Sequence, residues 1–312
     1  MEVGFIGLGR MGAGMAHRLL AAGHQVHGYD VSDSSRLAFE NQGGSWAANL
    51  GSLTVALSQP RAVWMMLPPG APTEETLSSL LPLLASGDTV VDGGNAHYAD
   101  SERRAGTLAE RGIHFIDVGT NSGTAGVDLG YCLTVGGAPE HVTQLSPVFD
   151  AISSGGGEGW SHVGASGAGH FVKMVHNAVS YGLMEAYAEG FAMLRAKQQF
   201  ALNLPAIAQV WTHESLLDSQ LLDQIAVLLA REGDLSDVEG RIDDTGAGRW
   251  AILEALALDV SAPALTEALL RRIRSREQEP YSDKLLAALR GEFGGHAVHR
   301  AIGAEPPHNS GN

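Results

Sequence analysis

Lys173, Asn177 and Tyr181 follow one another at intervals of four residues inside Gly167 to Tyr181, a stretch dominated by Gly, Ala and Val. At 3.6 residues per turn they fall on one helical stripe with Met184, beside an apolar stripe of Val172, Val175, Val179 and Leu183. One face can line a pocket while the other packs. Gly167 and Gly169 open the helix without side chains, so a flat ligand can approach its first turn. An isolated lysine in such a run can also snorkel to water. The rest of the chain favours a reactive amine.

A second constellation lies at the N-terminus. The apolar run Val3 to Ile6 leads into Gly7-Leu8-Gly9-Arg10-Met11-Gly12, and a helical pattern through Met15, Leu19 and Leu20 comes next. Between a strand and a helix, G-x-G-x-x-G reads as a dinucleotide site. Gly7 permits the turn, Gly9 lets backbone N–H groups approach a pyrophosphate, and Gly12 lets helix and strand pack closely. The next strand, Gln25 to Tyr29, ends on Asp30, where a carboxylate can accept from an adenosine ribose and repel a further phosphate. NAD is therefore expected, with NADP possible if Arg36 softens the repulsion. The same aspartate also suits a helix N-cap.

The βαβ rhythm continues. Strands are expected over Ala62–Leu67, Thr89–Asp92, Ile113–Val118 and Tyr131–Val135, and helices over Thr73–Leu84, Ala99–Glu110 and Pro139–Ile152. Ligands in such sheets lie beyond the strand carboxyl ends, which makes Leu67, Pro68 and Asn95 cofactor-side candidates. The small polar run Asp117 to Gly126 reads as a wide turn or as a loop that holds an anion, and His114 and Cys132 read as packing residues. After Gly167 only helices are expected: to about Lys197, then Leu204–Thr212, Leu216–Glu232, Arg249–Leu258, Pro263–Ser275 and Ser282–Leu289. The fold class is α/β, a Rossmann-type doubly wound sheet over 1–165 followed by an all-helical domain over 166–302 and a disordered tail over 303–312. Arg249, Arg272, Arg290 and His296 together have the donors to bind a phosphate.

Composition narrows the partners. Lys and Arg number 20 against 35 Asp and Glu, a formal charge of −15, and no basic run appears, so nucleic acid is not expected. Cys132 is the one cysteine, which rules out an intramolecular disulfide and suits a reducing cytoplasm. With one cysteine a metal site would rest on His, Asp and Glu alone, and none is expected; the first residues lack a basic leader and no run is apolar enough for a bilayer, so no membrane partner is expected.

These motifs, together with Asp92-Gly93-Gly94-Asn95 and Phe293-Gly294-Gly295-His296-Ala297-Val298, resemble the 6-phosphogluconate dehydrogenases in their shorter bacterial form, within the β-hydroxyacid dehydrogenase superfamily. The resemblance covers nearly the whole chain. It implies that Lys173 takes the hydroxyl proton as hydride leaves, with Asn177 beside it. It places Gly7, Leu8, Gly9, Arg10, Met11, Gly12, Asp30, Leu67, Pro68 and Asn95 against the cofactor. It implies a phosphorylated substrate held by Asn95, Asn121, Ser122, Gly123, His176, Ser180, Tyr181, Arg272, Arg290 and His296. Arg290 and His296 resemble residues contributed by a partner subunit, which implies a homodimer with shared sites.

The departures lie at the reacting end. The family's glutamate acid, one residue before the tyrosine, is Ser180 here, and its Val-Ser-Gly-Gly is Thr120-Asn121-Ser122-Gly123. A further family glutamate aligns with Ala247. Serine is no acid at neutral pH. The expected function is thus hydride transfer between alcohol and ketone or enone on a phosphorylated sugar acid, polyol or cyclitol, without decarboxylation. The alternatives are decarboxylating oxidation of 6-phosphogluconate to ribulose 5-phosphate, and a non-catalytic sensor of nucleotide and sugar phosphate.

Overall fold

The computed structural model describes residues 1–121, 126–294 and 298–299. Two compact units divide the chain, Met1–Tyr187 with Gly246–Leu265, and Ala188–Thr245 with the residues from Thr266 on. The first unit begins with β1 (Glu2–Ile6), α1 (Arg10–Ala21), β2 (Gln25–Tyr29), α2 (Arg36–Asn41), β3 (Ser45–Trp46), α3 (Leu50–Val55), β4 (Ala62–Met65) and α4 (Ala71–Leu80). It continues with β5 (Thr89–Asp92), α5 (Tyr98–Ala109), β6 (His114–Asn121), α6 (Gly126–Leu129), β7 (Cys132–Gly136), α7 (Pro139–Gln144), α8 (Ser146–Ile152) and β8 (Trp160–Gly164). Then comes α9 (Ala168–Ala196), whose last turns belong to the second unit with α10 (Leu204–Trp211) and α11 (Gln220–Glu232). The remaining helices are α12 (Ala247–Ala257), α13 (Pro263–Arg274) and α14 (Tyr281–Gly294). Among the described residues no helix is long and apolar enough to cross a membrane.

The strands form one eight-stranded sheet in the order β3-β2-β1-β4-β5-β6-β7-β8, parallel throughout except where β7 runs antiparallel to β6. The order reverses direction between β1 and β4, which opens a crevice at their carboxyl ends. Alternation along the strands splits the core between two faces. Val3, Phe5 and Trp64 join Met15, Leu19, Val118 and Phe149 in one cluster, while Ile6, Val63 and Met65 join Leu53, Leu80 and Leu108 in another. Such strands must be apolar on both sides.

Several sequence expectations need correction. Thr120 and Asn121, read as part of a loop, belong to β6, which pairs with β7 through Asn121↔Cys132. The small residues serve packing: a Cβ on Gly119 would stand 2.5 Å from the Lys173 Cβ and 2.6 Å from the Gly169 carbonyl. Pro139 to Ile152 is two helices, because Pro147 has no N–H and instead starts α8. Strands β3 and β8 are additions to the expected sheet. Leu216 lies ahead of α11, whose N-cap is Ser219. Cys132 is exposed rather than packed, whereas the His114 ring does pack, stacked on His141 at 3.4 Å. The stripe assigned to packing is also wrong, since Val175, Val179 and Leu183 are 38%, 46% and 52% exposed. The face that packs carries Met174 and Ala178, against Ala251 of α12 with Phe171 and Trp250 at the edge.

In the second unit α10 and α11 pack around Ala208, Ala226 and Leu229. There Arg272 donates to the Asp243 carbonyl at 3.5 Å.

What seats α9 on the sheet is Asp117. Its buried carboxylate accepts from Gly167 N at 2.6 Å and from His170 N at 2.8 Å, which pairs two N–H groups at the helix start and places negative charge at the positive end of the dipole. An asparagine would accept with one oxygen only and leave a buried N–H facing its own amide. Asp117→Asn is expected to lower stability by about 3 kcal/mol. Urea unfolding checks this, and an unchanged midpoint would contradict it.

Candidate active site

At the switch between β1 and β4, the glycine turn is built as the motif required. Gly7 has φ +91, and a Cβ there would meet the Met66 carbonyl at 2.4 Å. A Cβ on Gly12 would meet the Gly7 carbonyl at 2.0 Å, so α1 lies directly against the turn. Gly9 is the N-cap of α1 with no side-chain cap, and nothing lies within 4 Å of where its Cβ would be. The space beside Gly9, at the positive end of the α1 dipole, is therefore open. That cradle fits a pyrophosphate.

Asp30 at the end of β2 does two jobs. One oxygen accepts from Leu8 N at 2.7 Å and the other from Ser32 N at 2.8 Å, so the carboxylate braces the turn. Each oxygen keeps a lone pair for a ribose hydroxyl. Ser35 also ties the turn by donating to the Leu8 carbonyl at 2.8 Å. Arg36, the group that would soften a preference for NAD, is paired with Glu40 at 3.0 Å and lies over Trp46.

A cleft of about 250 Å³ is lined by Met11, Met66, Gly93, Gly94, Asn95, Thr120, Lys173 and Asn177. Met66 lines it rather than the expected Leu67 and Pro68; the Pro68 carbonyl is taken by the Thr73 hydroxyl at 2.7 Å. The Asn95 loop is fixed from below. Asp92 accepts from Gly94 N at 3.1 Å with one oxygen and from buried Arg104 at 2.8 Å with the other. Arg104 also binds Glu74 at 2.7 Å. Asn177 donates to Asn95 at 3.5 Å, which brings the two amides to one wall.

Lys173 donates from Nζ to the Asn121 side-chain carbonyl at 2.7 Å. Burial lowers its pKa from 10.5 to about 8, partly offset by Cys132. This matters kinetically: at pH 7 an ordinary lysine is neutral roughly once in 3,000 molecules, whereas at pKa 8 the neutral fraction is about one in ten. His176 lies at the rim with its pKa lowered, first by loss of solvent and then by the Lys173 charge.

Ser180 donates to the Asn177 carbonyl at 2.8 Å, within its own helix. None of the described residues lining the cleft is a carboxylate. Tyr181 is half-buried on α9. Arg272 and Arg290 lie in the second unit, on α13 and α14, and Ser122, Gly123 and His296 fall outside the described residues.

The sequence reading missed Asp117, Gly119 and Met66. The signal for the first two was the Asp-x-Gly pair inside a strand pattern, where each residue had a packing reason.

A family model described as the NAD binding domain of 6-phosphogluconate dehydrogenase matches residues 2–167, and the model of that enzyme's C-terminal domain matches residues 169–291. A Haloferax volcanii protein named as an NAD(+)-dependent, decarboxylating 6-phosphogluconate dehydrogenase is 40% identical over 301 residues, covering 96% of this chain and 99% of its own. A Lactococcus lactis protein named as a decarboxylating 6-phosphogluconate dehydrogenase is 33% identical, covering 94% of this chain and 65% of its own. Among solved structures, Plasmodium falciparum 6-phosphogluconate dehydrogenase aligns with TM-score 0.81 at 23% identity, over 98% of this chain and 67% of that one.

Gly119→Ala is expected to push α9 off β6 and to reduce turnover at least about 100-fold, since a misplacement near 1 Å at a reacting group has that effect. The check is steady-state kinetics beside a circular dichroism spectrum; wild-type turnover would contradict the packing assigned to Gly119.

Proposed function

The chain belongs to the 6-phosphogluconate dehydrogenase family, and from that premise we propose that this NAD(P)-dependent oxidoreductase transfers hydride between alcohol and ketone or enone on a phosphorylated sugar acid, polyol or cyclitol, without decarboxylation. One observation carries this reading: among the described residues the cleft lining holds a neutralisable lysine and no carboxylate, while Ser180 donates to the Asn177 carbonyl.

The nicotinamide, when bound, takes up or gives the hydride. The start of α1, Asp30 and the Asn95 loop would hold the dinucleotide, with NAD favoured by the Asp30 carboxylate. Lys173 as the free amine accepts the hydroxyl proton during oxidation, and as the ammonium it polarises the carbonyl and returns the proton during reduction. Asn95 and Asn177 orient the substrate oxygens with amide donors and acceptors that do not titrate. Decarboxylation would leave an enediol carbon that needs a proton from an acid. A serine hydroxyl already donating to a backbone carbonyl is a poor source of it.

The second reading, decarboxylating oxidation of 6-phosphogluconate, is favoured by the names of the relatives at 40% and 33% identity. In either case a homodimer in the cytoplasm is proposed. The exposed Val175, Val179 and Leu183 on α9 support a second copy over that face, and the lone Cys132 suits a reducing compartment. Under this reading Arg290 and His296 serve the partner's site, and Tyr181 the substrate phosphate. Light scattering on the eluting protein should return twice the mass of the chain; a monomer would remove the shared site.

The test of the base is a pH profile. With NAD and a panel of phosphorylated sugar acids and polyols, the rate of NADH formation should rise with pH and level off above about 8, because only the deprotonated Lys173 accepts the proton. Lys173→Met should lose at least about 1,000-fold in turnover while still binding NADH. A flat profile, or turnover by Lys173→Met at the wild-type rate, would contradict the assignment.

A further inference from the structure

Asn121 stands where the resemblance implies a substrate contact, yet it is absent from the cleft lining and only 6% exposed. Its neighbour Thr120 does line the cleft. Two bonds hold its amide behind the lysine. The side-chain oxygen accepts from Lys173 Nζ at 2.7 Å, and the amide nitrogen donates to Cys132 Sγ at 3.8 Å, across the register pair Asn121↔Cys132 of β6 and β7. We propose that Asn121 is a positioning residue for Lys173 rather than a substrate contact: its carbonyl takes one N–H of the amine and leaves the nitrogen lone pair directed into the cleft.

The chemistry of the partners supports that orientation. An amide oxygen can only accept, so the lysine must donate to it whether the amine is charged or neutral. In the neutral state one N–H stays with Asn121, and the lone pair is left for a substrate proton. On the far side, Cys132 accepts from the amide N–H, and a flip of the group is opposed at the lysine, where it would set the amide N–H against those of the ammonium. The strand beneath is fixed by its β7 partner, and Gly119 lets the lysine stem lie close against it. A serine at position 121 would be shorter by about one bond, roughly 1.5 Å, and would not hold the amine at this distance.

The titratable groups that face Lys173 are few. Cys132 of β7 raises its pKa, and His176 of α9 feels its charge; the other residues lining the cleft, Met11, Met66, Gly93, Gly94, Asn95, Thr120 and Asn177, carry none. A charge placed at position 121 is therefore read by the lysine with little competition.

The inference rests on the reading of Lys173 as the proton acceptor, and its test does not need turnover. The rate of acetylation of Lys173 by acetic anhydride, followed by peptide mass spectrometry against pH, gives the midpoint of the amine in wild type, Asn121→Asp and Asn121→Leu. Asn121→Asp is expected to raise the midpoint by about one unit or more, since an opposite charge within hydrogen-bond distance favours the ammonium. Asn121→Leu, which offers no acceptor, should lower it. Where a substrate turns over, Asn121→Leu should reduce kcat by about 10- to 100-fold at unchanged KM. One midpoint shared by all three proteins, or a loss confined to KM, would overturn the proposal and return Asn121 to the substrate. The near-isosteric Asn121→Asp keeps the test available if Asn121→Leu does not fold. Activity retained by Lys173→Met beside a shifted Asn121→Asp midpoint would instead remove the base and leave the contact standing.

Discussion

The carboxylate of Asp117 bonded to the first turn of α9 is the contact on which the site depends. Lys173 lies in the second turn of that helix, so a rotation or slip at Gly167 moves its amine directly. The carboxylate prevents both by accepting from two amides at once, at 2.6 and 2.8 Å. Close approach of helix and strand then requires Gly119 and Gly169, whose missing Cβ atoms would each collide with the other element. The glycines of this region serve contact more than flexibility.

The same device recurs along the sheet. Asp30 at the end of β2 accepts from Leu8 N, Asp92 at the end of β5 from Gly94 N, and Asp117 within β6 from Gly167 and His170. Each aspartate thus holds the backbone of a different wall of the site: the dinucleotide turn, the Asn95 loop and the lysine helix. A carboxylate is suited to this because it accepts on two oxygens and satisfies amides that no neighbouring strand reaches. Burying the charge is costly, and Asp92 meets that cost with Arg104, itself fully buried and shared with Glu74. An acidic protein with few basic groups uses one of them here.

Much of this was legible in the residues because the signals were local. The glycine turn, Asp30 and the lysine helix each arise from spacing within one segment, and their geometry obeys the motif physics. The failures were failures of long-range context. Thr120 and Asn121 look like loop residues until β7 is known to pair with them. Val175, Val179 and Leu183 look like a packing face until Met174 and Ala178 are seen to take that role, which leaves the stripe exposed. Asp117 was one more aspartate in a polar run, since its partners lie 50 and 53 residues away. The bonds of the Asn121 amide to Lys173 and Cys132 are likewise invisible until the β6–β7 register is known.

The family supplies the hydride chemistry, and in the proposed reading the altered residues decide the fate of the oxidised product. In the proposed reading Ser180, bonded back into its helix, stands in place of the acid that would protonate the product after carbon dioxide loss, so alcohol oxidation proceeds without that step. The most direct measurement is incubation of the purified protein with 6-phosphogluconate and NAD, with NADH and carbon dioxide followed together. Carbon dioxide is expected not to be released in step with NADH at a useful rate, while other phosphorylated alcohols support hydride transfer. Equal and rapid formation of both products would contradict it, and Ser180 would then be a tolerated change in a decarboxylating enzyme.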